Sequence, residues 1–155
     1  MEKLAQIGIL SLGGAFGVNA RYWLGLWVNR WASPQFPLAT FLINVTGSFA
    51  IGFLATLLAH RLPHPHLRLL VVTGFLGGYT TYSTFAYDGL TLWERGERGA
   101  SLFYTAATLV VGFLAVTLGV ALARELTLPR AERAARVQAP ERARRVATDE
   151  DGGNS

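Results

Sequence analysis

The chain contains no cysteine, and only 15% of its 155 residues are charged. Without cysteine there is no disulfide framework, zinc ribbon, iron–sulfur cluster or thiol catalysis, and the redox compartment cannot be inferred. More than half of the charged residues lie in the last 32, so residues 1–123 form an apolar body followed by a charged tail. With 51% hydrophobic residues, this chain is too apolar for an ordinary soluble domain of its length.

The motifs of catalysis and of nucleic-acid binding are also missing. There is no nucleophile elbow, no HExxH motif and no pair of carboxylates inside an apolar segment. His60, His64 and His66 fall together in one proline-rich stretch, which we interpret as a surface loop rather than a metal site. The net charge is only +4, and no basic stripe alternates with aromatic residues. We therefore expect neither an enzyme nor a nucleic-acid partner.

Four long apolar segments predict an all-α membrane protein with four transmembrane helices. A helix needs about 20 apolar residues to cross the hydrocarbon core of a bilayer. The expected spans are residues 4–28, 36–59, 69–92 and 100–123, and short connections with turn residues separate them. We place a transmembrane domain at residues 1–125 and a charged tail, disordered or partly helical, at residues 126–155.

The basic residues of the body favour neither orientation in the membrane. Three of them flank the spans on the side of the termini and three on the other side, so the positive-inside rule gives no answer. Such a chain could insert either way round, as an antiparallel homodimer requires. Four arginines that follow the last span favour a cytoplasmic C-terminus instead: Arg124, Arg130, Arg133 and Arg136. The sequence leaves this conflict open.

A ridge of small residues runs along the first predicted helix. Gly14, Gly17, Arg21 and Gly25 recur at spacings of three, four and four, so they share one face. Such a ridge packs on protein rather than lipid, and the guanidinium of Arg21 would then point to the bundle interior or a water-filled vestibule. The alternative is an arginine that reaches out to the lipid headgroups.

Polar side chains form a stripe on the second predicted helix. Thr40, Asn44 and Ser48 are four residues apart, which places a hydroxyl, an amide and a hydroxyl on one face. They either hydrogen-bond to neighbouring helices or line a path that offers donors to an ion, and the spacing does not decide between these. Tyr104 and Thr108 repeat the same spacing in the fourth span.

The third span is the poorest helix former of the four. It reads GFLGGYTTYSTF over residues 74–85, and both glycine and β-branched residues lower helix propensity, so we predict a break near residues 77–81. Unwound backbone inside a membrane persists only within protein or beside water, where its carbonyls are candidate cation ligands. Beyond the break, Tyr82 and Phe85 share a face; their electropositive ring edges could receive a small anion, or the rings could pack in a core.

Three segments carry a family resemblance. They read GGAFGVNARY (residues 13–22), TFLINVTGSFAIGFL (residues 40–54) and GFLGGYTTYSTF (residues 74–85). In this order, and on these spans, they resemble the CrcB or Fluc fluoride channels over about residues 4–123. Proteins of that family are small four-helix chains that assemble as antiparallel, dual-topology homodimers in bacterial-type membranes. The resemblance implies a multi-pass protein of the cell inner membrane that passively exports fluoride, with two pores per dimer and a central structural sodium ion.

The resemblance also implies a role for individual residues. Backbone carbonyls of Gly77 and Thr80 from each subunit would hold the sodium ion. Asn44 would donate to fluoride, and Arg21 would attract the anion in a vestibule. The ring edges of Tyr82 and Phe85 would face the fluoride path, and hydroxyl groups would line the rest of it: Thr40, Ser83, Thr84, Tyr104 and Thr108.

Some positions depart from the family's pattern, and two other functions stay open. Tyr82 stands where phenylalanine is usual, and Ala86 and Asp88 replace the serine and glutamate of STFSxE. The first alternative function is a small dual-topology exporter of cationic drugs, which would need a carboxylate deep in a span, and residues 4–28 contain none. The second is a non-transporting membrane assembly subunit whose glycine ridges only pack against partners.

Overall fold

The computed structural model describes residues 2–33 and 35–127, which are helical throughout except for short connections. Helix α1 covers Glu2–Asn29 and α2 covers Leu38–Arg61. A continuous helical rod follows at residues 65–79, made of α3 (Pro65–Arg68), a π-helical stretch (Leu69–Leu76) and α4 (Gly77–Tyr79). Helices α5 (Tyr82–Glu94) and α6 (Arg98–Thr127) complete the chain. Residues 126 and 127 of the predicted tail belong to α6, and the rest of the tail lies outside the described residues.

Two helices of the described chain are long and apolar enough to cross a membrane, namely α2 and α6. Of the other two predicted spans, α1 is long, but glycine and polar residues such as Gln6 and Asn19 lower its mean hydropathy. The segment at residues 69–92 is divided between the rod and α5. The positions of the helices agree with the four apolar segments. By length and apolarity, however, only α2 and α6 among the described helices qualify as membrane spans.

The surface carries many large apolar side chains that an ordinary soluble protein would bury. Phe103 and Phe113 of α6, for example, are 67% and 72% exposed. The tryptophans lie at the end of the bundle where α1 ends and α6 begins: Trp23, Trp27, Trp31 and Trp93. Tryptophan is enriched where a protein meets the membrane–water interface. This surface is that of a membrane protein.

Helix α1 packs against the rod at residues 65–79 with almost no space between the backbones. A Cβ atom at Gly13 would meet the Leu70 carbonyl oxygen, and one at Gly17 would meet the Phe75 carbonyl oxygen. Gly74 of the rod lies directly against Gly13. Of the predicted ridge, Gly17 packs this closely and Gly14 lies against Gly78 of the rod, so packing on protein rather than lipid is confirmed at these two positions. Gly13 was not part of the predicted ridge, and a Cβ atom at Gly25 would only touch Ile43 at 4.0 Å.

Helix α2 packs along α6, again through glycines. A Cβ atom at Gly52 would meet the backbone of Val116, and one at Gly119 would meet the backbone of Phe49. Helix α5 lies against α6 around a small apolar cluster formed by Phe85, Leu92 and Tyr104. This arrangement holds α2, α5 and α6 together around the residues that follow the rod.

The π-helical winding of Leu69–Leu76 has no counterpart in the sequence-based expectations. A π-helix has hydrogen bonds between residues five apart, and an α-helix between residues four apart. Residue propensities do not distinguish the two, so the same apolar pattern fits either helix. This π-helical segment contacts α1 through the backbone of Leu70, Gly74 and Phe75.

Candidate functional site

The helical backbone is interrupted between the rod and α5. Thr80 has φ −78° and ψ 158°, and Thr81 has φ −149° and ψ 116°, so both are extended. The Thr81 hydroxyl accepts a hydrogen bond from the Thr84 backbone N–H at 3.3 Å, which caps the start of α5. These two residues are called the interruption below. The Thr81 N–H and the carbonyls of both residues bond to side chains of other helices.

Asn44 of α2 makes two hydrogen bonds to the interruption. Its Nδ2 donates to the Thr81 carbonyl oxygen at 2.9 Å, and its Oδ1 accepts from the Thr81 backbone N–H at 2.9 Å. Both polar groups of one extended peptide residue are therefore satisfied by a single side-chain amide.

Arg21 of α1 reaches the same place from the other side. Its side chain is half-buried, and Nη1 donates to the Thr80 carbonyl oxygen at 3.3 Å. Of the two possibilities that the sequence left open, the structure shows the guanidinium turned to the protein rather than to the headgroup region. The Thr80 backbone N–H and hydroxyl both donate to the Leu76 carbonyl oxygen at 3.0 Å.

Helix α2 approaches the interruption closely because it has a glycine there. A Cβ atom at Gly47 would meet the Thr80 Cγ2 atom. One residue earlier, the Thr46 and Tyr79 hydroxyl oxygens are 2.9 Å apart and share a hydrogen bond. Gly47, Thr46 and Thr81 were absent from the predicted site, although Thr81 is the last residue of the predicted break at residues 77–81.

A groove with a volume of about 490 Å³ opens beside the interruption. It brings together five of the predicted site residues: Asn44, Thr80, Tyr82, Phe85 and Thr108. Ser48, the next member of the polar stripe, lines it as well. Its remaining walls are mostly apolar and come from α2 and α6: Gly47, Ile51, Leu109, Gly112, Phe113 and Val116.

The two aromatic residues of the groove differ in burial. Phe85 is 7% exposed, whereas Tyr82 is 78% exposed. Their ring centroids are 5.8 Å apart, and the Phe85 ring lies 5.5 Å from that of Tyr104 in the core. Phe85 therefore packs in the core, as one of the two alternatives from the sequence has it, and it also lines the groove; the reception of an anion at its ring edge stays a prediction.

Thr40 and Thr84 lie in a different cavity, with a volume of about 440 Å³. Asp88 lines it too, and the Thr40 hydroxyl donates to Asp88 Oδ2 at 2.7 Å. The fully buried Tyr104 hydroxyl lies near Thr40 and Asp88, but it makes no hydrogen bond of ordinary geometry to a described residue. The polar stripe of α2 is thus divided, with Thr40 on this cavity and Asn44 and Ser48 on the groove.

Two of the predicted hydroxyl donors already use their hydrogen atoms. Thr40 donates to Asp88, and Thr108 donates to the Tyr104 carbonyl oxygen of its own helix at 2.7 Å. In these rotamers both threonines offer lone pairs rather than a hydrogen to the space beside them. Ser83 is exposed, with its hydroxyl 3.4 Å from that of Thr81, and lines neither cavity.

The residues predicted to hold sodium lie at the C-terminal end of the rod. Gly77 is helical, with φ −63° and ψ −35°, and a Cβ atom there would meet nothing within 4 Å. The last carbonyls of a helix lack helical donors and carry partial negative charge, which suits a hard cation. The described residues hold no cluster of three or more His, Cys, Asp or Glu side chains, so a cation here would depend on main-chain oxygens.

Comparisons with known proteins place the chain in a family. A family model described as CrcB-like protein, Camphor Resistance (CrcB), matches residues 9–120. A protein of Agrobacterium fabrum named fluoride-specific ion channel FluC is 47% identical over 124 residues, which are 79% of this chain and 99% of that protein. A protein of the same name from Rhizobium meliloti is 44% identical over 122 residues, which are 78% of this chain and 98% of that protein. Another from Paracoccus denitrificans is 45% identical over 117 residues, which are 76% of this chain and 93% of that protein. The resemblance noted in the sequence is confirmed: this chain belongs to the CrcB family.

Proposed function

We propose that this chain forms a fluoride-selective channel that lets fluoride leave the cell passively. Relatives that align with nearly their whole length are named fluoride-specific ion channels. The observation that carries the proposal is the groove in which the Asn44 amide, the Phe85 ring and an interrupted backbone meet. The protein is then a channel and not an enzyme.

The groove suits a small, strongly hydrated anion. Such an ion loses water only where donors replace it at close range. The Asn44 amide has two hydrogen atoms, of which one is donated to Thr81, so the second is available to an anion in the groove. The electropositive edges of the Phe85 and Tyr82 rings would contribute in the same space.

Beyond the groove, the path would continue along hydroxyl groups. Ser83 and Thr84 stand in the first turn of α5, where backbone N–H groups also lack helical partners. The Tyr104 hydroxyl is free to donate to an anion, because this buried group has no hydrogen-bond partner among the described residues. Thr40 and Thr108 would have to rotate away from their present acceptors to donate.

Arg21 would attract the anion toward this path. Its guanidinium donates to the Thr80 carbonyl, next in the chain to the Thr81 carbonyl that Asn44 binds. A half-buried positive charge is screened less than an exposed one, so it raises the local anion concentration.

We also propose a structural sodium ion between two copies of the chain. The carbonyl oxygens of Gly77 and Thr80 would hold it, and one chain supplies only half of the ligands. Carbonyl oxygens at a helix end suit a hard cation, and the open space at Gly77 leaves room for a second backbone. The ion would supply charge that holds the two interruptions together.

The proposed channel lies in the cell inner membrane and contains two copies of the chain. We propose that residues 1–125 cross the cell inner membrane four times and pair with a second, antiparallel copy, so that two pores form per dimer, and that residues 126–155 are a separate tail. Both α2 and α6 can span a bilayer, α1 and the rod pack beside them, and apolar side chains cover the surface. An even distribution of basic residues at the two ends of the body allows both orientations.

Fluoride efflux from liposomes that contain the purified protein tests the function. We expect fluoride flux that far exceeds chloride flux and does not change when a proton gradient is imposed. Flux driven by a proton gradient would support the drug-exporter alternative. Flux no greater than that of empty vesicles would support the assembly-subunit alternative.

A further inference from the structure

We propose that Asn44 positions the backbone carbonyls of the proposed sodium site, in addition to facing the groove. Its side-chain amide holds Thr81 in an extended conformation. The Thr81 N–H then cannot make the helical hydrogen bond to the Gly77 carbonyl. The sodium site in this inference rests on the proposed channel function. The hydrogen bonds that support the inference lie within one chain.

The two hydrogen bonds of Asn44 select the extended conformation. In an extended residue the N–H and C=O groups point to the same side, so one planar amide can bond to both. In a helix these groups point in opposite directions along the axis, and one side chain cannot satisfy both. The φ of −149° and ψ of 116° at Thr81 agree with the first case.

The bond to the Thr81 N–H determines what happens at Gly77. In a continuous helix this N–H would donate to the carbonyl four residues earlier, which belongs to Gly77. Here Asn44 Oδ1 accepts it at 2.9 Å, so the Gly77 carbonyl has lost its helical donor.

Thr80 is released in the same way. Its helical donor would be the Thr84 N–H, which instead donates to the Thr81 hydroxyl at 3.3 Å. The extended Thr81 therefore frees both carbonyls proposed for sodium, although that of Thr80 also accepts from Arg21.

The surrounding contacts keep α2 at the distance that this arrangement needs. Gly47 permits van der Waals contact with Thr80, and the Thr46 hydroxyl bonds to that of Tyr79. Asn44 is thus held beside Thr81 by contacts that do not involve its own amide, and replacing that amide should leave α2 in place.

The first test compares Asn44→Leu, which has a similar shape but no polar group, with Asn44→Asp, which keeps an acceptor for the Thr81 N–H. Carbon-13 chemical shifts of threonine Cα and Cβ report whether Thr81 is extended or helical in the full-length protein in lipid. We expect the Asn44→Leu shifts of Thr81 to move to helical values and those of Asn44→Asp to stay extended. Ser48→Ala, one turn further along α2, is the control and should leave the Thr81 shifts unchanged.

The second test measures the stability that sodium adds to the dimer, relative to a large organic cation. We expect Asn44→Leu to lose this increment and Asn44→Asp to keep it, even if both conduct less fluoride. An amide-to-ester replacement at Thr81 removes the N–H that would close on Gly77. Introduced into Asn44→Leu, it should restore the sodium increment, whereas the same replacement at Ala86 should not.

These readouts separate the inference from the proposed function. If Asn44→Leu retains extended Thr81 shifts and the full sodium increment, Asn44 does not position the backbone, whatever happens to flux. If it fails to assemble, the ester at Thr81 alone decides, because removing the N–H should leave the sodium increment intact; loss of the increment would overturn the inference. Absence of fluoride flux in the unmodified protein, with the shifts as expected, would remove the channel function only.

Discussion

Thr40 of α2 donates its hydroxyl hydrogen to Asp88 Oδ2 of α5 over 2.7 Å. Thr40 is only 8% exposed, so this bond satisfies a polar group that has little access to water. It also joins two helices that otherwise make few contacts, and it commits the Thr40 hydrogen to the protein. The Asp88 side chain therefore reaches across from α5 to α2.

We expect Asp88→Asn to retain this bond and Asp88→Ala to lose it. The asparagine oxygen can accept from Thr40, whereas alanine leaves a buried hydroxyl to find another partner, which costs about 1–3 kcal/mol. Thermal unfolding of the purified protein measures the difference. A double-mutant cycle with Thr40→Val should show coupling of about 1 kcal/mol; strictly additive effects would mean that the bond contributes nothing to stability.

The sequence was sufficient for the helix positions and for the glycine ridge. Both depend on local patterns, since apolar runs define helices and small residues at regular spacing define a contact face. The ridge at Gly14 and Gly17 packs on the rod, and the helix ends lie within a few residues of the expected limits.

The side-chain partners within the site could not be read in the same way. Nothing in a spacing of four shows that Thr40 faces Asp88 while Asn44 faces Thr81, because the division arises where α5 meets α2 after the interruption. The rotamer in which Thr108 donates to its own helix is equally invisible in the sequence. These features depend on contacts between residues far apart in the chain.

We expect Gly47→Ala to disturb the interruption, because the new methyl group would overlap Thr80 Cγ2. Overpacking of this kind typically costs about 1–3 kcal/mol, and here the strain falls on the backbone beside the groove. Fluoride efflux should fall at least about tenfold, the equivalent of 1.4 kcal/mol.

The matching rescue is Thr80→Ser, which removes Cγ2 and keeps the hydroxyl that donates to Leu76. The double variant should regain most of the flux that Gly47→Ala loses. Gly25→Ala is the control, because a Cβ atom there would only touch Ile43 at 4.0 Å. A double variant as impaired as Gly47→Ala would show that the overlap with Thr80 is not the cause.

We expect the effect of Arg21→Gln on fluoride flux to depend on salt. Glutamine lacks the charge that we propose attracts the anion, whereas Arg21→Lys keeps a positive charge at this position. Long-range attraction extends about 30 Å at 0.01 M ionic strength and about 3 Å at 1 M. The loss of flux should therefore be large at low salt and small at high salt. Arg21→Lys should keep the salt dependence of the unmodified protein, whereas equal losses at both salt concentrations would exclude long-range attraction of the anion by Arg21.

Gly77→Ala tests where two copies of the chain would cross. Within one chain the substitution is harmless, because Gly77 is helical and a Cβ atom has nothing within 4 Å. Alanine should even favour the helix by about 1 kcal/mol. In the proposed dimer the same methyl group would stand at the crossing of the two interruptions and push the carbonyl ligands apart. We therefore expect helical monomers that neither dimerise nor conduct fluoride, as judged by circular dichroism, single-molecule subunit counting and liposome efflux.

Gly99→Ala is the matched control for that variant, since it also adds a methyl group to open space near a helix end, but in α6 and away from the interruption. It should leave both dimerisation and flux unchanged. Loss of the dimer in Gly77→Ala alone would locate the crossing at the interruption, because no contact within the single chain accounts for it. A Gly77→Ala protein that dimerises and conducts normally would place the crossing elsewhere, and the Gly77 carbonyl could then no longer be assigned to a shared cation.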